Sequence, residues 1–206
     1  MEQGSLREVT RRAARTRIAE IAEGLFVRDG FEATTVDTIA AAVGMSQRTF
    51  FRYFASKEDV VLDNYERMGE KLLERLRARP ADESDWAALR RAFDVVAEQY
   101  SDANQRLRGA TVQQIVEASP ILLSAFLEKL DRIQRRLAEE LQARTLEESR
   151  GAAPDAMVVR AVVGAAFACL QSAVSDAAHS TEPTDLGASL DMVMAAVQPI
   201  CFVPGR

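Results

Sequence analysis

Apolar residues recur along most of this chain at intervals of three and four, the spacing that places them on one face of an α-helix. No segment shows the strict alternation of apolar and polar residues that predicts a β-strand. Short stretches containing Gly, Pro, Ser, Asn or Asp, which end or cap helices, separate the helical segments. Nine helices are predicted, at residues 10–29, 36–43, 46–54, 56–79, 84–100, 104–117, 120–147, 154–179 and 184–199. The pattern therefore predicts an all-α protein.

The two shortest predicted helices follow each other almost directly. Thr35 and Ser46 are suited to cap their N-termini, because a hydroxyl oxygen can accept from the backbone N–H groups of the first turn. Gly44 is suited to end the first helix, since glycine adopts the left-handed conformation of helix C-termini without strain. Only Gly44 and Met45 separate the two helices. This is the helix-turn-helix arrangement, in which the second helix enters the major groove of DNA.

The second short helix has one apolar face and one polar face. At about 100° per residue, Phe50 and Phe54 lie on the same side. The opposite side carries donors that can read guanine or contact phosphate, although it could also be an ordinary solvated face. Ser56 and Lys57 favour DNA binding, because a helix N-terminus beside a lysine is suited to contact phosphate. The predicted DNA-binding residues are Thr35, Ser46, Gln47, Arg48, Thr49, Arg52, Tyr53 and Lys57.

The charge distribution removes an objection to DNA binding. The net charge is −5, but residues 1–60 hold nine basic and nine acidic side chains, so the excess of negative charge lies in the remainder. A local basic surface is what DNA binding needs. The N-terminal arm can follow the DNA backbone, enter the minor groove, or serve only as a solubilising tail. Its basic residues are Arg7, Arg11, Arg12 and Arg15.

The segment SQRTFFRYFASKEDV resembles the signature of the TetR family of bacterial transcriptional regulators. The resemblance extends from about Arg15 to Val61. The matching positions are Gly30, Phe31, Thr35, Ile39, Ala40, Val43, Thr49, Phe54, Lys57 and Glu58. The family usually has tyrosine where this chain has Phe51, and that hydroxyl commonly contacts a DNA phosphate. The resemblance therefore leaves Arg52 or Tyr53 to make this contact.

The helix predicted at residues 154–179 is apolar on all sides. Between Ala161 and Val174 it has no charged residue and many small ones, so another helix can approach closely. It is either the core of a monomer or an interface between two copies, and the resembled family dimerises through its last two helices as a four-helix bundle. Two recognition helices about 34–36 Å apart would then read a palindrome. The resemblance implies a DNA-binding domain at residues 1–55 and a helical effector-binding and dimerisation domain at residues 56–206.

The second half of the chain also offers candidates for a ligand pocket. Its apolar side chains are equally suited to form a core, and its glutamines can find partners in the backbone, in water or in a ligand. The candidate ligand-binding residues are Phe93, Val96, Tyr100, Gln113, Val116, Phe126, Phe167 and Gln171. The length and pattern of this half are similar to a TetR subgroup thought to sense acyl-CoA-like compounds, which implies a small, largely apolar effector.

Other functional classes find little support in the sequence. The single histidine, His179, has no nucleophile motif near it and there is no glycine-rich phosphate loop, so an enzyme is not expected. Cys169 and Cys201 are expected to be buried free thiols, and neither a metal site nor a cofactor is predicted. No apolar run of membrane-spanning length and no secretory signal are recognised, so a cytoplasmic protein is expected.

Together these features predict a ligand-responsive transcriptional repressor. A homodimer binds a palindromic operator in double-stranded DNA, and a small effector favours a conformation in which the helix at 56–79 moves. The recognition helices then no longer match successive grooves, and a coupling of about 1–3 kcal/mol would lower operator affinity by about 5–150-fold. Two alternatives stay open: a transcriptional activator of the same fold, and a helical protein-interaction module that does not bind DNA.

Overall fold

The computed structural model of the chain describes residues 2–80, 82–148, 155–180 and 184–198. Every regular element in these ranges is an α-helix, which confirms the predicted all-α fold. The eleven helices found there are α1 (Glu2–Asp29), α2 (Val36–Val43), α3 (Gln47–Phe50), α4 (Lys57–Val61), α5 (Asp63–Arg77), α6 (Asp85–Ala92), α7 (Asp94–Ser101), α8 (Ala103–Ala118), α9 (Pro120–Glu148), α10 (Ala156–His179) and α11 (Leu186–Val197).

Two of the nine predicted helices are each interrupted at a single residue, and this accounts for the larger number. Leu62 separates α4 from α5, and Phe93 separates α6 from α7. The backbone hydrogen bonds continue past Leu62, whose N–H donates to the Glu58 carbonyl at 3.0 Å and whose carbonyl accepts from the Glu66 N–H at 3.2 Å. The prediction of one unbroken helix over 56–79 is therefore wrong, although the hydrogen-bonded backbone joins α4 directly to α5.

The described residues form two compact units, of which the N-terminal unit comprises Met1–Glu66 and Arg108–Lys129. Its core is built by α1 to α4 together with parts of α8 and α9. The largest fully buried side chains of this core are Ile18, Ile39, Phe50, Leu62 and Leu122. The helix-turn-helix therefore packs on a segment from the middle of the chain. The functional boundary predicted between residues 55 and 56 stays a prediction.

The second unit comprises Arg67–Leu107 and Leu130–Arg206, as far as these residues are described. Its core draws apolar side chains from α5, α6, α7, α9, α10 and α11. Arg90 joins α6 to α11 by hydrogen bonds. Its Nε donates to Asp191 Oδ1 at 2.6 Å, and its Nη2 donates to the Gly187 carbonyl at 2.9 Å. Trp86 on α6 adds a hydrogen bond from its Nε1 to the Met194 carbonyl at 3.2 Å.

Helix α10 is long and apolar enough to span a membrane by length and composition, so the expectation that no such run exists is wrong. Its buried side chains, among them Val163 and Phe167, lie in the core of the second unit, and core helices of soluble proteins meet the same criterion. Cys169 is a buried free thiol, as predicted, and burial raises its pKa. Cys201 and the side chain of His179 lie outside the described residues.

Candidate nucleic-acid interface

The predicted caps form the helix-turn-helix. Thr35 Oγ1 accepts from the Thr38 N–H at 3.1 Å and begins α2, and Ser46 Oγ accepts from the Thr49 N–H at 3.1 Å and begins α3. Gly44 ends α2 in the left-handed conformation with φ of 82°. A side chain at Gly44 would be strained there. The geometry of the turn is thus set by residues within the turn itself.

Helix α3 is shorter than predicted, because the regular helix ends at Phe50. Beyond it the turn tightens: the N–H groups of Arg52 and Tyr53 donate to carbonyls three residues earlier, at 3.2 and 2.8 Å. The Phe54 N–H returns to the four-residue spacing and donates to the Phe50 carbonyl at 3.1 Å. Aromatic residues, which have lower helix propensity, occupy four of the five positions from Phe50 to Phe54. The chain keeps a helical course there with a tighter last turn.

The apolar side of α3 is buried as predicted. Phe50 and Phe54 are 0% and 2% exposed, and their ring centroids lie 5.9 Å apart in the N-terminal core. Phe51 is 50% exposed and stands edge-on to Phe50, with centroids 5.6 Å apart. On the outward side, Arg48 and Arg52 are exposed. The buried rings therefore fix a helix whose guanidinium groups are accessible from outside.

The other predicted DNA-binding residues differ in accessibility. Gln47, Ser46 and Thr35 are exposed, and Thr49, Tyr53 and Lys57 are half-buried. The hydroxyl groups of Ser46 and Thr49 lie 2.9 Å apart, so each is already hydrogen-bonded to its neighbour. A hydroxyl group can donate one hydrogen bond and accept two, so these residues keep capacity for an outside partner.

Lys57 is engaged inside the N-terminal unit. Its ammonium group lies 2.9 Å from the Phe31 carbonyl, 3.2 Å from the Thr34 carbonyl and 3.5 Å from the Glu32 carbonyl. It also stands 4.2 Å from the centroid of the Phe31 ring. An ammonium group has three donors, and these carbonyls can accept all of them. Lys57 therefore ties the start of α4 to the loop after α1, and a phosphate contact would have to compete with this role.

Arg15 does not belong to an N-terminal arm that precedes the first helix, because α1 already begins at Glu2. Its Nε donates to Asp63 Oδ1 at 3.1 Å, its Nη2 donates to the same oxygen at 2.5 Å, and its Nη1 donates to the Tyr53 carbonyl. Its guanidinium carbon lies 4.2 Å from the centroid of the Phe54 ring. Grouping Arg15 with the exposed Arg7, Arg11 and Arg12 was therefore wrong.

The sequence held a signal that could have separated Arg15 from its neighbours. It lies three residues before Ile18 and seven before Ala22, so it continues the buried stripe of α1. The other three arginines fall on turns of α1 that are exposed throughout. Helical spacing alone places Arg11 on the same side of α1, so the distinguishing feature is that Arg15 lies one turn before Ile18, the first buried residue among the described side chains of α1.

The candidate ligand-binding residues do not pack in one core. Gln113, Val116 and Phe126 lie in the N-terminal unit, where the Phe126 ring packs against Tyr65 with centroids 4.8 Å apart. The Gln113 amide donates to Glu117 Oε1 at 2.9 Å on the same helix. The polar partner expected for this glutamine is therefore a neighbouring side chain.

The other five candidates lie in the second unit. Phe93 and Phe167 are buried there with centroids 5.3 Å apart and ring planes at 87°, and Val96 and Tyr100 pack against the same core. Burial raises the pKa of the Tyr100 hydroxyl. Gln171 is exposed and does not face this core. Four of the eight candidates thus form one apolar group.

Known proteins share both the sequence of the helix-turn-helix and the fold of the chain. The family profile described as bacterial regulatory proteins, tetR family, matches residues 18–63. The HTH-type transcriptional regulator TcmR of Streptomyces glaucescens is 37% identical over 143 residues, which are 68% of this chain and 63% of TcmR. The putative mycofactocin biosynthesis transcriptional regulator MftR of Mycobacterium tuberculosis is 46% identical over 43 residues, 21% of this chain and 22% of MftR.

Solved structures extend the similarity to nearly the whole chain. FadR of Thermus thermophilus, a TetR family transcriptional repressor in complex with lauroyl-CoA, superposes with a TM-score of 0.57 at 25% identity, covering 93% of this chain and 98% of that one. The fatty acid degradation regulator FadR of Bacillus halodurans shares the fold with a TM-score of 0.59 at 19% identity, covering 94% and 97%. The profile match, the identity to TcmR and the shared fold agree, and the chain belongs to the TetR family of bacterial regulatory proteins.

Proposed function

We propose that this protein is a ligand-responsive transcriptional repressor that binds a palindromic operator in double-stranded DNA as a homodimer. The observation that carries the proposal is the outward side of α3, where Gln47, Arg48 and Arg52 are exposed while Phe50 and Phe54 are buried. A helix fixed in this way can lie in the major groove with its donors against base edges. The relatives support the repressor role, since Thermus thermophilus FadR is itself a TetR family transcriptional repressor.

The predicted DNA contacts divide by chemistry. Arg48 and Gln47, at the start of α3, are proposed to read base edges, because the N-terminal residues of a recognition helix reach the bases. The hydroxyl groups of Thr35, Ser46 and Thr49 are proposed to contact phosphates. Arg52 and Tyr53 would supply the phosphate contact that Phe51 cannot make. Lys57 remains the weakest of the proposed contacts, because protein carbonyls surround its ammonium group.

The dimer is proposed to form through α10 and α11. These helices carry exposed apolar side chains, with Met157 72% and Met192 67% exposed. Val158 and Val197 extend the apolar character of the two helices. Monomeric proteins seldom leave large contiguous apolar patches in water, so a second copy of the chain is a suitable cover.

The effector is proposed to be a small, largely apolar compound, with an acyl-CoA as the first candidate because Thermus thermophilus FadR is in complex with lauroyl-CoA. Of the candidate ligand-binding residues, Phe93, Val96, Tyr100 and Phe167 have the strongest support, because they form one apolar group. Phe93 and Phe167 are in ring contact, so a ligand that enters there has to separate them. No enzymatic step is proposed, and a cytoplasmic location follows from the role.

The proposal is tested by selecting bound sites from random double-stranded DNA. A single enriched palindrome is expected, with affinity that falls steeply with salt. Adding lauroyl-CoA to the complex is expected to lower the affinity, whereas free coenzyme A serves as the control. No enriched site would favour the protein-interaction module, and a lauroyl-CoA complex that binds the operator unchanged would remove acyl-CoA as the effector. Transcription that rises on operator binding would identify an activator.

A further inference from the structure

The contacts of Arg15 join three elements of the N-terminal unit. Arg15 lies on α1, Tyr53 closes the tight turn after α3, and Asp63 is the first residue of α5. The guanidinium group donates to the Tyr53 carbonyl and to Asp63 Oδ1, and its central carbon lies over the Phe54 ring, 4.2 Å from the ring centroid. One side chain therefore contacts the end of the recognition helix from a neighbouring helix.

The burial of these groups makes the arrangement specific. Asp63 is 2% exposed, and the side chain of Arg15 is 26% exposed. A buried carboxylate needs a charged or polar partner, and Arg15 supplies two donors to a single oxygen. Lysine could pair with Asp63 but could not hold a planar face on Phe54 and bind the Tyr53 carbonyl at the same time.

The Tyr53 carbonyl lies three residues beyond α3, in the tighter turn that continues its helical course and ends it. The last carbonyls of a helix lack partners within that helix, and a cation beside them interacts favourably with the negative end of the helix dipole. The N–H groups of Arg52 and Tyr53 have left the regular α-helical spacing, and contacts from outside support the chain at this point. Arg15 provides the charged contact, and Phe54 provides the apolar one.

We propose that Arg15 is a positioning residue that, together with Asp63, fixes the orientation of the recognition helix without itself contacting DNA. This inference rests on the proposed DNA-binding function. It changes the role expected for Arg15 from phosphate contact to control of the angle at which Arg48 and Arg52 meet the groove. It also gives Asp63, an acidic residue, a favourable role in binding a polyanion.

The experiment compares operator binding by the unmodified protein and four variants: Arg15→Ala, Arg15→Lys, Asp63→Asn and the control Arg91→Ala. Arg91 is an exposed arginine on α6 of the second unit, so its removal changes the net charge by the same amount as Arg15→Ala. Dissociation constants are measured by fluorescence anisotropy between 50 and 200 mM salt, a range over which phosphate contacts change affinity by about 10³–10⁵-fold in a typical DNA-binding protein. A stoichiometric titration gives the active fraction of each preparation, so that partial unfolding is separated from a change in affinity.

Arg15→Ala and Asp63→Asn are each expected to weaken operator binding by about 10–100-fold in the active fraction, with an unchanged salt slope. Arg15→Lys is expected to recover only part of the loss. The direction of the affinity change in Asp63→Asn is diagnostic, because removing a negative charge would by itself strengthen binding to DNA. Hydrogen exchange at the amides of residues 52–54 is expected to quicken in both variants.

Two results would overturn the proposal. A salt slope lowered by about one in Arg15→Ala would identify a phosphate contact. Unchanged affinity of the active fraction in Asp63→Asn would leave the pair with a role in stability alone. If the wild-type protein binds no DNA, the proposed function fails, and hydrogen exchange at residues 52–54 still tests whether Arg15 fixes the turn.

Discussion

Arg48 and Lys57 each lie within two residues of a serine that caps a helix, yet their surroundings differ. Arg48 is exposed on α3, whereas the ammonium group of Lys57 is surrounded by carbonyls of the loop after α1. The sequence makes both candidate DNA contacts: Arg48 because it lies on the polar side of the second helix, where an arginine can read guanine, and Lys57 because a lysine beside a helix N-terminus suits a phosphate. The two residues differ in how many protein carbonyls lie within hydrogen-bond distance of the charged group, and the fold alone brings those carbonyls to Lys57.

Arg48→Ala is expected to weaken binding to the selected operator by about 1–3 kcal/mol and to relax specificity at one base position, because a bidentate contact to guanine is lost. Repeating the site selection with the variant measures this. Arg91→Ala, which removes an exposed arginine from the second unit, is the matched control. Equal losses on the operator and on random DNA would exclude Arg48 from base recognition.

Lys57→Ala is expected to lower the free energy of unfolding by about 1–3 kcal/mol, because carbonyl groups after α1 lose a charged donor. The salt slope of DNA binding is expected to fall by much less than the one unit of a full phosphate contact, because carbonyls already accept from the ammonium group. Urea unfolding measures the first quantity, and Lys57→Met, which keeps the apolar stem near Phe31, shows how much of the effect comes from the charge. A salt slope reduced by about one with unaltered stability would instead support the phosphate contact.

At the scale of elements, the predicted helices agree with the structure where local residues set their ends. Helix α2 matches its predicted bounds of 36–43, because Thr35 and Gly44 act on their own neighbours. The helices are interrupted at Leu62 and Phe93, neither of which is a glycine or proline that would break a helix locally. Both residues are almost fully buried, at 1% and 0% exposure. Local propensity does not predict such interruptions.

Gly69 and Gly24 give a test of helix packing. A Cβ at Gly69 would lie 2.7 Å from Cγ1 of Ile133, whereas a Cβ at Gly24 would meet no atom within 4 Å. Gly69→Ala is expected to lower stability by about 1–3 kcal/mol through overpacking of α5 on α9. Gly24→Ala is expected to raise stability by about 0.5–1 kcal/mol, because alanine favours the helix.

Thermal unfolding followed by circular dichroism compares the two glycine variants. Ile133→Val in the Gly69→Ala background is expected to recover part of the loss, since it removes one of the crowding methyl groups. If Gly69→Ala were as stable as the wild type, the close approach of α5 to α9 would not limit packing.

At the scale of the whole molecule, the proposed dimer rests on the exposed apolar residues of α10 and α11. Met157 and Met192 are among the most exposed large apolar side chains of the described residues. The small residues of α10 predict an interface with another copy. One side of this helix is buried in the core of the second unit, which explains why that side is apolar. The exposed side is the part available to a second copy.

Met192→Glu is expected to convert the proposed dimer to monomers, because it would bury one charge from each copy in an apolar interface. Operator affinity is then expected to fall strongly, since a monomer contacts one half-site. Size-exclusion chromatography with light scattering measures the mass. Val27→Glu, which places the same charge at a residue 62% exposed on α1, is the control. A wild-type protein that is already monomeric, or a Met192→Glu variant that remains dimeric, would place the interface elsewhere.

The sequence by itself determined the helical fold, the caps of the helix-turn-helix and the buried side of α3, because each depends on residues within a few positions of one another. Only the tertiary structure decided which basic residues are left for DNA. Arg15 meets Tyr53 and Asp63 across 38 and 48 positions of the chain, and Lys57 meets Phe31 across 26. A side chain's partners at such separations arise from the packing of helices, which the periodicity of one segment does not contain.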